Sequence, residues 1–134
     1  MATTSNRNLT LTTVDTNVTI NVTYTATFTA FERQLAGLGM TFRERIRVLG
    51  VDPAGSTTGT VVANFATQLY PVTVGAGSQA IARNRSLVVT RASLQEDAGL
   101  GDADELRAQI EIEALGLPPD ATAPAFTDQV VLLG

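Results

Sequence analysis

At 134 residues, 44% hydrophobic and 16% charged, the chain is long enough for one well-buried core and too apolar for a disordered protein. Its net charge of -4 and pI near 4.6 argue against general attraction to nucleic acid or anionic membranes. The sequence has no Cys, His, Trp or Lys, and all nine basic residues are Arg, which excludes disulfides, thiolate nucleophiles, Schiff-base lysines, imidazole bases and zinc sites built on His or Cys.

Residues 1–8 are polar and read as an N-terminal arm, with no apolar stretch that could serve as a signal sequence. A segment this polar has little reason to order alone, so it is expected to contact another subunit. Leu9 to Val14 reads as a short strand and Asp15-Thr16-Asn17 as the turn of a hairpin. The clearest element follows. From Asn17 to Phe31, Val18, Ile20, Val22, Tyr24, Ala26, Phe28 and Ala30 alternate with Thr19, Asn21, Thr23, Thr25, Thr27 and Thr29. A period of two places the two sets on opposite faces of a long β-strand, one apolar and one lined with threonine.

Glu32 to Gly39 reads as a loop with one helical turn around Arg33 to Ala36. A third strand puts Phe42, Glu44, Ile46 and Val48 on one side and Arg43, Arg45 and Arg47 on the other, before the turn Asp52-Pro53-Ala54-Gly55-Ser56. Thr58 to Ala66 and Tyr70 to Val74 supply two more strands, the second at an edge because of Pro71. In the next strand, Gln79 to Arg91, Arg83 and Arg85 share a face with Ile81, Leu87 and Val89. A bulge near Asn84 to Ser86 is expected to restore the apolar face.

Ser93 to Asp97 has capping-box spacing for a single helical turn. Asp102 to Leu115 carries helix-favouring residues, but at about 100° per residue a helix would leave Ile112 roughly 200° from Ile110. A strand instead gathers Leu106, Ala108, Ile110, Ile112 and Ala114 on one side, so a strand is expected. Gly116 to Pro124 reads as a linker and Phe126 to Leu133 as the last strand. The longest apolar run, Val130 to Leu133, falls far short of the ~20 residues that span a bilayer, so no membrane insertion is expected.

About seven or eight alternating strands divided by Gly, Pro and Asp turns indicate one all-β domain over residues 1–134. Two packed sheets, an antiparallel β-sandwich of the immunoglobulin-like or jelly-roll-like kind, are expected in preference to a flattened barrel. Four Asn-x-Ser/Thr matches occur in a chain with twenty Thr and are treated as chance.

The threonine row is ordinarily a solvated face, but an uncharged face also desolvates more cheaply than one covered with ions. Thr19, Thr23, Thr25, Thr27 and Thr29 are therefore candidate interface residues, together with Arg43, Arg45 and Arg47. Ice or carbohydrate binding would need such rows on adjacent strands. The three arginines are expected to pair with Glu111 and Glu113, and no aromatic residues interleave them to stack on nucleic acid. The candidate metal ligands are Glu96, Asp97, Asp102, Asp104 and Glu105, an acidic stretch whose carboxylates can wrap Ca²⁺ without matching an EF-hand.

No serine has an imidazole to activate it, no Gly-x-Gly segment carries a phosphate-binding fingerprint, and no Trp offers a sugar-stacking platform. The expected function is a non-enzymatic structural or interaction module, a self-assembling subunit of a larger homomeric or multi-protein assembly, with no cofactor. The rival reading is a Ca²⁺-dependent ligand-binding sandwich, C2-like or of carbohydrate-binding type, using the 96–105 loop. The sequence gives no compartment.

Overall fold

The computed structural model describes residues 2–51, 59–94, 104–116 and 125–132. Their elements, in chain order, are β1 (Thr3–Val14), β2 (Asn17–Phe28), α1 (Ala30–Gly37), β3 (Thr41–Val51), β4 (Gly59–Asn64), β5 (Gln68–Leu69), β6 (Gln79–Thr90), α2 (Arg91–Leu94), β7 (Asp104–Leu115), β8 (Ala125–Phe126) and β9 (Val130–Leu132). One antiparallel sheet has the order β1-β2-β6. The other has the order β4-β3-β7-β8, with β5 also paired to β3 and β9 to β7. The protein is an all-β sandwich of nine described strands, slightly more than the sequence suggested because β5, β8 and β9 are very short.

The alternation read in the sequence maps onto the layers. Val18, Ile20, Val22, Tyr24, Ala26 and Phe28 of β2 are all buried, as are Phe42, Ile46 and Val48 of β3 and Leu106, Ala108, Ile110 and Ile112 of β7. Fully burying each large apolar side chain among them stabilises the fold by about 1.5–3 kcal/mol. Phe28 anchors one end of this core, its ring centroid 5.1 Å from that of Phe42 and 5.2 Å from that of Tyr70. Of the strand expected over Asp102 to Leu115, the described part, Asp104–Leu115, is a strand, β7.

Several local expectations are corrected. The polar residues Thr3 to Asn8, expected as an arm, belong to β1 and pair with Thr23 to Thr27, while Ala2 is buried. One extra residue enters the register between Ser5 and Asn8, where Asn6 takes φ +53°, a conformation that Asn tolerates. With a partner inside the chain, this segment no longer argues for a second subunit. At the far end of β1 the hairpin turns through Asp15 and Thr16, with Val14 paired to Asn17.

The long strand ends at Phe28, and α1 follows, extending to Ala30–Gly37 the single helical turn expected around Arg33 to Ala36. Thr29 caps this helix: its hydroxyl accepts from the Glu32 backbone N–H at 3.2 Å, and the Glu32 carboxylate accepts from the Thr29 backbone N–H at 2.9 Å. Residues 70–74 are not a strand either. Arg33 on α1 draws off the carbonyls of this segment and the turn after it, donating to Thr73 at 2.8 Å and Ala76 at 3.0 Å, while Gln79 accepts from the Thr73 N–H. The last expected strand divides into β8 and β9 around the buried Thr127, whose backbone N–H donates to the Ala108 carbonyl and whose hydroxyl accepts from the Ala108 N–H. Among the described residues no helix is long and apolar enough to cross a membrane.

Thr29→Ala removes the cap of a helix packed at the sandwich end and is expected to lower unfolding free energy by about 1 kcal/mol. Denaturant titration of Thr29→Ala, Glu32→Ala and the double variant checks this, with the two losses expected to be less than additive because each residue satisfies the other's donor.

Candidate functional site

Chemistry-bearing side chains meet between the sheets, where the inward row of β3 carries Glu44 in line with Phe42 and Ile46. Glu44 is only 1% exposed, and an isolated carboxylate at that depth would be prohibitively unstable. Its partners come from the facing sheet. Tyr24 of β2 stands directly beside Arg83 of β6, and Val22 beside Arg85. The Tyr24 hydroxyl donates to Glu44 Oε2, and Arg83 Nε donates to the same oxygen at 3.0 Å. Arg85 Nε lies 3.2 Å from Glu44 Oε1, an ion-pair distance without hydrogen-bond alignment, which leaves that oxygen with electrostatic contact but no hydrogen bond.

Tyr70, just past β5, completes the cluster with its hydroxyl 2.5 Å from that of Tyr24. Because Tyr24 spends its single proton on Glu44, Tyr70 is the donor between the two phenols, giving a relay Tyr70 to Tyr24 to Glu44. Arg83 also lies over the Tyr70 ring, 5.1 Å from its centroid. Burial first, and then the neighbouring phenol and carboxylate, push the Tyr24 pKa far up, and burial likewise raises that of Tyr70 against the opposing hydrogen bond from Tyr24. Burial pulls the Arg83 guanidinium down, but the Glu44 carboxylate outweighs it and holds the group more firmly charged.

The bulge expected near Asn84 to Ser86 is absent. Strands β2 and β6 stay in register without interruption from Asn17↔Thr90 to Phe28↔Gln79. Arg83 and Arg85 keep the inward face of Ile81, Leu87 and Val89 because Glu44 supplies a counter-charge across the sandwich. Other donors reach β5 and the segment before it: Arg83 Nη2 donates to Gln68 Oε1 at 2.9 Å, and Arg85 Nη2 to the Ala66 carbonyl at 2.7 Å. These residues frame an open cleft of about 430 Å³ along β6, lined by Gln68, Ala82, Arg83, Asn84, Arg85 and Ser86.

The two outer faces differ in kind. On the β3/β7 sheet Arg43 and Arg45 stand opposite Glu113 and Glu111. The expected pairing is present: Arg43 to Glu113 at 2.5 Å, Arg45 to Glu113 at 3.3 Å and Arg47 to Glu111 at 3.1 Å. On the other sheet the registers align six rows across three strands: Thr3-Thr27-Ala80, Ser5-Thr25-Ala82, Asn8-Thr23-Asn84, Thr10-Asn21-Ser86, Thr12-Thr19-Val88 and Val14-Asn17-Thr90. No position in this grid is charged. Thr19, Thr23, Thr25 and Thr27 lie on its middle strand, whereas Thr29 has left the face to cap α1. The threonine and arginine rows therefore occupy opposite sides of the molecule.

Of the candidate calcium ligands, Glu96, Asp97 and Asp102 lie outside the described residues, as does the side chain of Asp104. Glu105 is half-buried on β7 opposite Val131. Among the described residues no three acidic side chains gather as a metal site would require. Tyr24, Glu44, Tyr70, Arg83 and Arg85 were not singled out by sequence, although a glutamate inside the apolar row of β3 and two arginines inside that of β6 were the visible signal. Compared with family models, with curated proteins and with solved structures, the chain matches none of them.

Tyr24 and Tyr70 are the chain's only tyrosines, so tyrosinate absorbance reports on this cluster alone. Both pKa values are raised in the folded state, so stability is fully present below the unfolded phenol pKa of about 10 and falls above it, by up to about 2.7 kcal/mol per pH unit for two protons. A spectroscopic pH titration is expected to show no tyrosinate until the protein unfolds. Two ordinary phenol titrations in folded protein would contradict the geometry.

Proposed function

We propose that this protein is a non-enzymatic structural subunit that self-associates through the outer face of β1, β2 and β6. One observation carries the reading: the grid of eighteen outward positions on these strands holds no charge. With 16% of the chain charged, about three charged side chains are expected on a face of that size even if charge is spread evenly over all positions, and more if it concentrates at the surface. The opposite face, by contrast, is laced with arginine–glutamate pairs.

The physics favours a second copy as the occupant. Thr, Ser and Asn side chains both donate and accept hydrogen bonds, so the same face complements itself about a two-fold axis. No ion has to be stripped of water when two such faces meet. Twelve-residue strands at about 3.4 Å per residue and 4.8 Å apart give a face roughly 40 Å by 10–15 Å. Two such faces together bury on the order of 1,000 Å², the lower bound for a specific interface. Val14 and Val88, 62% and 61% exposed, add apolar surface to one end of the same grid.

Light scattering or sedimentation at micromolar concentration tests the reading. The wild-type protein is expected to be a dimer or larger, with little salt dependence because no charges pair across the contact. Thr25→Arg, on the middle strand of the face, is expected to yield monomer with the melting temperature nearly unchanged. A wild-type monomer, or association that Thr25→Arg leaves intact, contradicts this assignment.

A further inference from the structure

We propose that the cleft along β6 binds an oxyanion, a carboxylate or phosphate group held between Arg83 and Arg85. The cleft borders the uncharged face and shares Ala82, Asn84 and Ser86 with it, but its two arginines belong to the inward row of β6. Its basis is a charge imbalance built into the fold: two guanidinium groups flank a single carboxylate, Glu44, and the two phenols that share the cluster are held in their neutral forms. The cleft lining adds Gln68, Ala82, Asn84 and Ser86, none of them acidic. One positive charge is thus left over in a largely desolvated place.

The donor inventory shows where that charge is available. Arg83 commits Nε to Glu44 and Nη2 to Gln68, and Arg85 commits Nε to Glu44 and Nη2 to the Ala66 carbonyl. Among the described residues neither Nη1 has a hydrogen-bond partner, so each guanidinium keeps a pair of N–H groups for the cleft. The arginine side chains are 13% and 11% exposed, which means that they are already fixed by Glu44, Gln68 and Ala66 and lose little freedom when an anion arrives. Guanidinium groups match the geometry of carboxylate and phosphate oxygens, and such charge-assisted bonds are about twice as strong as neutral ones. The cleft volume of about 430 Å³ exceeds that of a bare ion, so it fits an oxyanion carried on a small organic body.

The test is an NMR titration of the arginine Nε–Hε resonances of the wild-type protein at low ionic strength, with inorganic phosphate in one series and succinate in another. Saturable shifts confined to Arg83 and Arg85, with Kd below about 1 mM in at least one series, are expected. Phosphate alone would identify a phosphoryl ligand, succinate alone a carboxylate ligand, and either supports the site. Arg85→Gln is expected to weaken binding at least tenfold. Absence of saturable shifts in both series, equal shifts at the surface residues Arg43, Arg45 and Arg47, or undiminished binding to a folded Arg85→Gln would overturn the proposal. Should Arg85→Gln fail to fold, the pattern of wild-type shifts decides alone.

Discussion

A carboxylate buried in a protein interior must be met by hydrogen-bond donors or cations, and Glu44 meets that requirement with groups from outside its own sheet. Desolvating such an ion costs several kcal/mol even after the protein relaxes, and removing one partner of a buried pair typically costs about 3–5 kcal/mol. Glu44 on β3 therefore binds the two sheets to one arrangement, with Tyr24 and Arg83 on its Oε2 and Arg85 beside its Oε1. Apolar contacts supply most of the gain from burial, but they are non-directional. The ion cluster selects the register, because a slip of β6 by one residue would turn both arginines to solvent and leave Glu44 among apolar neighbours.

Arginine fulfils the same directional task elsewhere in the fold. Arg7 beside the β1 bulge donates to the Phe126 carbonyl at 2.7 Å and joins that edge of the first sheet to β8. Arg83 and Arg85 join the other edge to residues around β5. Arg33 holds the segment after Tyr70 against α1, and Arg43, Arg45 and Arg47 sit in the surface ladder of the second sheet. With these cations spent on holding edges and one outer face, the outer face of β1, β2 and β6 is left entirely to Thr, Ser, Asn, Ala and Val. That partition of charge is the structural basis of the assembly reading.

The long strands were legible because their alternation is local. β2 and β3 could be read residue by residue, and the position of Ile112 relative to Ile110 decided β7 against a helix. β6 was harder. Its arginines broke the apolar row, and the inference that a bulge must rotate them away treated each strand alone, whereas their counter-charge sits on β3, 39 residues from Arg83 in sequence. The anomaly was visible in both strands, and its resolution needed the pairing of sheets. A similar dependence on distant partners hid β5 and the division of the last strand into β8 and β9, two or three residues long, whose extended form follows from β3 and β7. The helix α1 was foreseen only as one turn around Arg33 to Ala36, and its start was missed for a local reason: Thr29 continued the threonine alternation, which masked its capping-box spacing to Glu32. The three-strand grid depends on β1 beginning at Thr3, and a polar segment of Thr, Ser and Asn gives no periodic signal of its own.

The central claim is that Glu44 and the arginines of β6 act as one unit that fixes the packing of the two sheets. The most direct measurement is a double-mutant cycle of Glu44→Met and Arg83→Met by denaturant unfolding. Strong coupling is predicted, well above 1 kcal/mol, with Glu44→Met the costlier single change, since it leaves both arginines without their carboxylate whereas Arg83→Met leaves Glu44 still met by Arg85 and Tyr24. Losses that add within about 0.3–0.5 kcal/mol would show that the two residues act independently and would contradict the account.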